Sequence, residues 1–219
     1  MNGPSQEQST ALIETIRVRG GRAPLWPLHL HRLEASCRSL GLPFPPALEE
    51  PRGGADRAHR LEVGPIGVIV TERDVGPADP LRLVTSRLVH RPYPHKTTER
   101  ELFCAALDEA REAGADEALL LTECGEVAEA AIWCVFWWEG GRLCSPALDL
   151  GVLPSVARGR IEELAGPLSE GRMPRSGLAG RSIFLGNALR GVVEVAELDG
   201  APVPREPATV AVQRRFWDR

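Results

Sequence analysis

Residues 117–145 constrain the fold most tightly. Residues 117–122 (EALLLT) form a short apolar run, and Glu123-Cys124-Gly125-Glu126 is a turn. Residues 127–138 (VAEAAIWCVFWW) make one long strand of apolar and aromatic character. Gly140-Gly141 then turns the chain into residues 142–145. Strands joined by turns this tight predict a mainly antiparallel sheet and not a βαβ fold.

Ahead of this segment, residues 1–10 are polar and read as frayed. Residues 11–19 (ALIETIRVR) read as a strand that Gly20-Gly21 turns toward a second short extended piece. From Pro27, the spacing of Leu28, Leu30, Leu33, Cys37 and Leu40 predicts an amphipathic helix that Gly41 ends. Residues 43–46 and 49–59 read as loops, residues 60–75 as a β-rich run, and residues 81–89 as a strand. Pro92 and Pro94 then impose extended backbone. The composition shifts here, which divides the chain into residues 1–91 and residues 92–219. Thr98 and Glu101 have the spacing of a capping box, so a helix is expected directly after Lys96, ending at Gly114. Residues 156–164 read as a further helix, and residues 208–216 as a closing strand.

Several classes of function are disfavoured. A net charge of −4 gives no sign of a nucleic-acid or anionic-membrane partner. No apolar run approaches the ~20 residues of a membrane helix, and the first residues lack the pattern of a signal peptide, so a cytoplasmic location is expected. Cys37, Cys104, Cys124, Cys134 and Cys144 are odd in number and form no C-x-x-C pair, which favours reduced thiols over disulfides or zinc. The histidines show no metal-ligand spacing, so no metal site is expected. Common nucleotide-binding and hydrolase motifs are missing.

One residue stands out against that background. The chain has 25 arginines and a single lysine, Lys96. Arginine replaces lysine at surface pairs and phosphate contacts but not as a nucleophilic amine, because the guanidinium stays protonated. A desolvated lysine can lose its proton and condense with a carbonyl. Glu129 lies in an apolar stretch, where it either meets a cationic partner or points to solvent from an edge strand. Arg32 borders the apolar face of its helix and either reaches a phosphate or lies along the surface. Residues 151–156 precede a helix and offer backbone N–H groups to an anion. An amine, a carboxylate, an arginine and an anion nest are the parts of a pyridoxal phosphate site.

The order of the motifs resembles the class IV (fold-type IV) pyridoxal phosphate family, which includes branched-chain and D-amino acid aminotransferases and 4-amino-4-deoxychorismate lyase. The motifs are Glu14-Thr15-Ile16-Arg17-Val18, His29-Leu30-His31-Arg32-Leu33 with Leu40-Gly41, and Lys96-Thr97-Thr98 through Asp116-Glu117-Ala118-Leu119-Leu120. Val127-Ala128-Glu129 with Phe136, and Gly151-Val152-Leu153-Pro154 with Arg158, follow. Asn187-Ala188-Leu189 with Val192-Val193 resembles the lyase and its near relatives more than the branched-chain enzymes.

The resemblance implies an α+β subunit like that of D-amino acid aminotransferase: a small N-terminal α/β sandwich, a C-terminal pseudo-barrel, cofactor between them, and a homodimer. It implies pyridoxal 5'-phosphate with Lys96 as its Schiff-base lysine, Glu129 at the ring nitrogen and Arg32 at the phosphate. Val156, Ala157, Asn187 and Ala188 would complete the cofactor site, chiefly through backbone. Candidate contacts to a small amino substrate are Glu14, Arg17, Tyr93 and Trp133, with Arg87 and Arg91 as further choices for its carboxylate. The implied activity is release of pyruvate and 4-aminobenzoate from 4-amino-4-deoxychorismate. The alternatives are a branched-chain or D-amino acid aminotransferase, and a truncated relative that binds without catalysing. The segment before Glu14 is shorter than in the family. Ala157 stands where many relatives have a phosphate-binding Thr, Ser155 for a usual Gly, Ala128 for a Thr, and Cys134 for a common Asn.

Overall fold

The computed structural model describes residues 10–77 and 79–218; most of the polar opening segment, residues 1–9, lies outside them. The first sheet has three antiparallel strands in the order β1 (Leu12–Val18), β2 (Arg57–Gly64), β3 (Gly67–Arg73). Helix α1 (Trp26–Leu40) covers one face of it. Alternation decides which side chains meet the helix. Leu12, Ile16, Leu61 and Val63 pack with Trp26, Leu33 and Cys37. Ile13, Thr15, Arg17, Ala58, Arg60 and Arg73 point to the other face by register. Arg19 and Arg22 exchange backbone hydrogen bonds of 2.8 and 3.1 Å across Gly20-Gly21, both at positive φ, so the expected tight turn forms. Gly41, at φ 66°, ends α1 as expected, while Leu40 is exposed and His29 takes a buried place instead.

The second sheet has nine strands. Its path runs β6 (Val127–Ala130), β5 (Glu117–Leu121), β4 (Leu81–Val89), β11 (Gly191–Leu198), β10 (Ile183–Asn187), β7 (Cys134–Glu139), β8 (Arg142–Pro146), β9 (Ser169–Gly171), with β12 (Ala201–Pro202) beside β11. Both faces of its centre are buried. Val135, Trp137, Ile183, Leu185, Val193 and Val195 fill the inside of the curl. Phe136, Phe184 and Val192 pack under α3 (Val156–Ala165) and α4 (Pro207–Arg215) through Ile161, Val212 and Phe216. Phe136 and Phe184 stack at 5.0 Å, so truncating either to Ala costs roughly 3–5 kcal/mol. The first sheet with its helix and the curled mixed sheet give the expected two-part α+β architecture.

Four expectations change. The pairs β4/β5 and β8/β9 are parallel, bridged by α2 (Glu101–Glu112) and α3 respectively, so two β-α-β units sit in a sheet read as mainly antiparallel. The long strand at 127–138 is two strands, because residues 131–133 form a bend whose Trp133 carbonyl accepts from the Ala130 amide at 3.0 Å. Residues 208–216 are helical rather than extended. Pro207 opens α4, Glu206 accepts from the Ala208 amide, and Thr209 and Val212 are its buried face at a spacing of three. The capping box does not form: Thr98 Oγ1 accepts from the Ala11 amide at 3.1 Å, and α2 starts later, at Glu101. In addition β4 belongs to the large sheet, so the sheets change over between Arg73 and Leu81, ahead of the division placed at residue 92.

Candidate active site

A cleft of about 230 Å³ opens between the two sheets. Ile13 and Thr15 of β1, Arg60, Arg73 and Arg32 line one side of it. Lys96, Arg100, Glu129, Trp133, Ser155, Asn187 and Ala188 line the other parts.

Lys96 is held by its backbone. Its carbonyl accepts from the Ile13 amide at 2.7 Å, and the Thr98 amide donates to Ala11 at 2.9 Å, so residues 96–98 run along the free edge of β1. The Tyr93 hydroxyl lies 2.7 Å from both the amide and the carbonyl of Thr97. The Tyr93 amide donates to Gly151 at 2.7 Å. Gly151 has φ 77°, and a Cβ there would stand 2.7 Å from Pro92. The lysine is therefore carried on a segment fixed at both ends. Burial, with Arg100 and Arg32 nearby, brings its amine down to about 7. Neutral and protonated forms are then both populated near neutral pH.

Glu129 is buried on β6 and accepts from His90 Nε2 at 2.8 Å. It lines the cleft rather than pointing to bulk solvent. Arg32 reaches the cleft too, with its guanidinium anchored on Glu14 by bonds of 2.9 and 2.6 Å. His29 Nδ1 lies 2.5 Å from the same carboxylate. Burial opposes ionisation of Glu14, but Arg32 and His29 outweigh it and lower its pKa to about 2. Burial pushes His29 down, so the neutral ring donates from Nδ1.

At the start of α3, Ser155 Oγ accepts from the Ala157 amide at 3.2 Å, and the Cys134 thiol lies 3.4 Å away. Cys134 also donates to Gly186 at 2.9 Å, and burial raises its pKa to about 11. Asn187 Oδ1 accepts from the amides of Leu189 and Arg190, which shapes the turn carrying Ala188. A phosphate placed here would meet a helix N-terminus, a serine hydroxyl and a guanidinium. A ring nitrogen would meet a buried carboxylate, and an aldehyde an amine with a lowered pKa. The residues present fit pyridoxal phosphate.

Of the other sequence candidates, Trp133 lines the cleft. Glu14 does not; it holds Arg32 and His29 instead. Arg17 shares the cleft face of its sheet but turns to Asp56 at 2.8 Å. Tyr93 is tied to Thr97 and packs edge-on against Phe103. Arg87 is exposed and paired with Glu109. Val156 and Ala157 are buried at the helix start, behind Ser155. Three cleft residues had gone unnoticed. Arg100 donates to the Ala131 carbonyl at 2.7 Å and lies over the Phe103 ring, and its position four residues after Lys96 was the available signal. Arg60 and Arg73 carry no such signal, because only the strand register brings them to this face.

A mixed curled sheet, a small three-stranded sheet and a cleft lysine between them define a fold-type IV pyridoxal phosphate enzyme. The chain belongs to the class IV amino-transferase family, whose model matches residues 11–60 and 52–198. Members of that family depend on pyridoxal phosphate. Among solved structures, a candidate amino-acid aminotransferase from Mesorhizobium loti is 29% identical (TM-score 0.77), covering 86% of this chain and 99% of that one. A candidate 4-amino-4-deoxychorismate lyase from Legionella pneumophila is 21% identical (TM-score 0.82; 98% and 96% covered). A branched-chain aminotransferase from Thermoproteus uzoniensis is 22% identical (TM-score 0.84; 97% and 86% covered). The last two similarities concern the fold. No curated protein matches the chain. Among the described residues no helix is long and apolar enough to cross a membrane.

Proposed function

We propose that this chain is a pyridoxal phosphate-dependent lyase that converts 4-amino-4-deoxychorismate to 4-aminobenzoate and pyruvate. The observation that carries the reading is Lys96: the one lysine, with its pKa lowered to about 7, in a cleft shared with Glu129 and Asn187-Ala188. When bound, pyridoxal phosphate supplies an aldehyde that condenses with amines and a ring that takes up electrons from the amine-bearing carbon. Arg32 and the start of α3 would hold its phosphate, and Glu129 its ring nitrogen. Lys96 Nζ, freed when the substrate amine takes its place, would remove the proton from the amine-bearing carbon. The same Nζ would return a proton to the departing enolpyruvyl group, and aromatisation of the ring left behind favours release. The motif Asn187-Ala188-Leu189 supports the lyase. We further propose a homodimer, by analogy with the family.

An aminotransferase is the second reading, favoured by the 29% identity to the Mesorhizobium loti protein. The two separate in one assay. Pyruvate released from aminodeoxychorismate without any keto acid supports the lyase, and strict dependence on a keto-acid acceptor rejects it.

A further inference from the structure

Arg60 and Arg73 stand on the cleft-facing side of the three-stranded sheet, on adjacent strands. The register pairs Ala58 with Arg73 and Arg60 with Thr71, so the two arginines are diagonal neighbours on one face. Both line the cleft that holds Lys96. Arg60 gives its Nε to Glu62 at 2.8 Å, and no other bond occupies its guanidinium among the described residues. Arg73 has only the carbonyl of Asp74 at 3.4 Å, and no carboxylate among the described residues pairs with it.

Apart from Lys96, the remaining charges of the cleft have partners. Arg32 is clamped on Glu14, Arg100 on the Ala131 carbonyl and the Phe103 ring, and Glu129 on His90. Arg32 and Ser155 also line an adjoining hollow beside the start of α3, and Arg60 and Arg73 do not. The phosphate side of the cleft and this arginine pair are therefore distinct. Two adjacent guanidinium groups with free donors match planar carboxylates, which each can hold in a two-pronged grip.

We propose that Arg60 and Arg73 are specificity-determining residues that bind a carboxylate of the substrate remote from its reacting amine, so that the cleft takes amines carrying two carboxylates. The inference rests on the proposed function and narrows it: aminodeoxychorismate has two carboxylates, whereas a branched-chain amino acid has one. Arg60 and Arg73 touch no reacting atom in this account. They select and orient.

The test uses glutarate, a dicarboxylate, and pentanoate, a monocarboxylate of the same chain length; neither has an amine to react. Binding of each is followed by calorimetry on the protein as purified, after its cofactor absorbance has been recorded. Glutarate is expected to bind at least tenfold more tightly than pentanoate. Arg73→Gln and Arg60→Gln should each remove on the order of tenfold of glutarate affinity. Arg73 is exposed, so its variant serves if the Arg60 variant unfolds. Equal binding of the two acids, or glutarate affinity unchanged in Arg73→Gln, overturns the assignment whatever the spectrum shows. A missing cofactor band overturns the cofactor reading instead, whatever the titration gives.

Discussion

Arg32 grips Glu14 with both arms of its guanidinium, Nε on one carboxylate oxygen at 2.9 Å and Nη2 on the other at 2.6 Å. The acid is buried on β1 and the arginine projects from α1 into the cleft. A residue proposed to meet the phosphate is thus aimed by a carboxylate that does not line the cleft.

Glu14→Ala should lose roughly 3 kcal/mol in urea unfolding. That is the lower end for breaking a buried ion pair, because Arg32 keeps some solvent access. The wild-type pH dependence has a definite sign. The Glu14 pKa falls from 4.5 to about 2 on folding, so its stabilisation is complete above 4.5 and is lost as pH falls through about 2. The variant should show a flatter acid limb. An unchanged acid limb would mean that the pair contributes nothing to the fold.

Glu117 works in the opposite sense. Its carboxyl is buried at the start of β5 and accepts from the amides of Ala118 and Ala131, which pins the bend before Trp133. Burial raises its pKa from 4.5 to about 7. Its stabilisation is full below 4.5 and is lost as pH rises through 7, a change on the order of 3 kcal/mol. Neutral His29 opposes this trend below 6.5, so the informative comparison is with Glu117→Gln, which keeps the carbonyl acceptor without the charge. The variant should gain on the wild type between pH 5 and 8 by denaturant melts. A constant difference across that range would contradict the assignment.

These two acids show what was legible in the sequence. Patterning revealed α1 and its Gly41 stop, because apolar spacing and a left-handed cap are local signals. Residue type singled out Lys96, Glu129 and Arg32, and the fold brings the three to one cleft. The three parallel pairs were hidden, since the pairing of β4 with β5 across α2, of β4 with β11, and of β8 with β9 is a tertiary choice that no turn motif reports. The closing helix α4 was misread because Thr209, Val210 and Val212 are β-branched and nearly alternate, while Pro207 and the Glu206 cap decide for helix. Glu14 looked like a substrate contact until α1 brought Arg32 and His29 against it.

Ser155 is placed where it could supply the hydroxyl that Ala157 lacks. Its Oγ caps α3 through the Ala157 amide and lines the cleft, with its own proton free to turn to an anion. Ser155→Ala should weaken pyridoxal phosphate binding about tenfold, near 1–1.5 kcal/mol, measured by cofactor absorbance during dialysis. Loss of the cap alone would lower thermal stability by about 1 kcal/mol and leave cofactor affinity unchanged.

The central claim is that Lys96 joins the cofactor covalently. Borohydride reduction of the cofactor-loaded protein, followed by peptide mass analysis, tests it directly, since the chain has no other lysine. The cofactor mass should appear on the peptide containing Lys96, and Lys96→Ala should show neither that adduct nor the absorbance band. A reduced adduct elsewhere, at the N-terminal amine for example, or a band that survives in Lys96→Ala, would contradict the account.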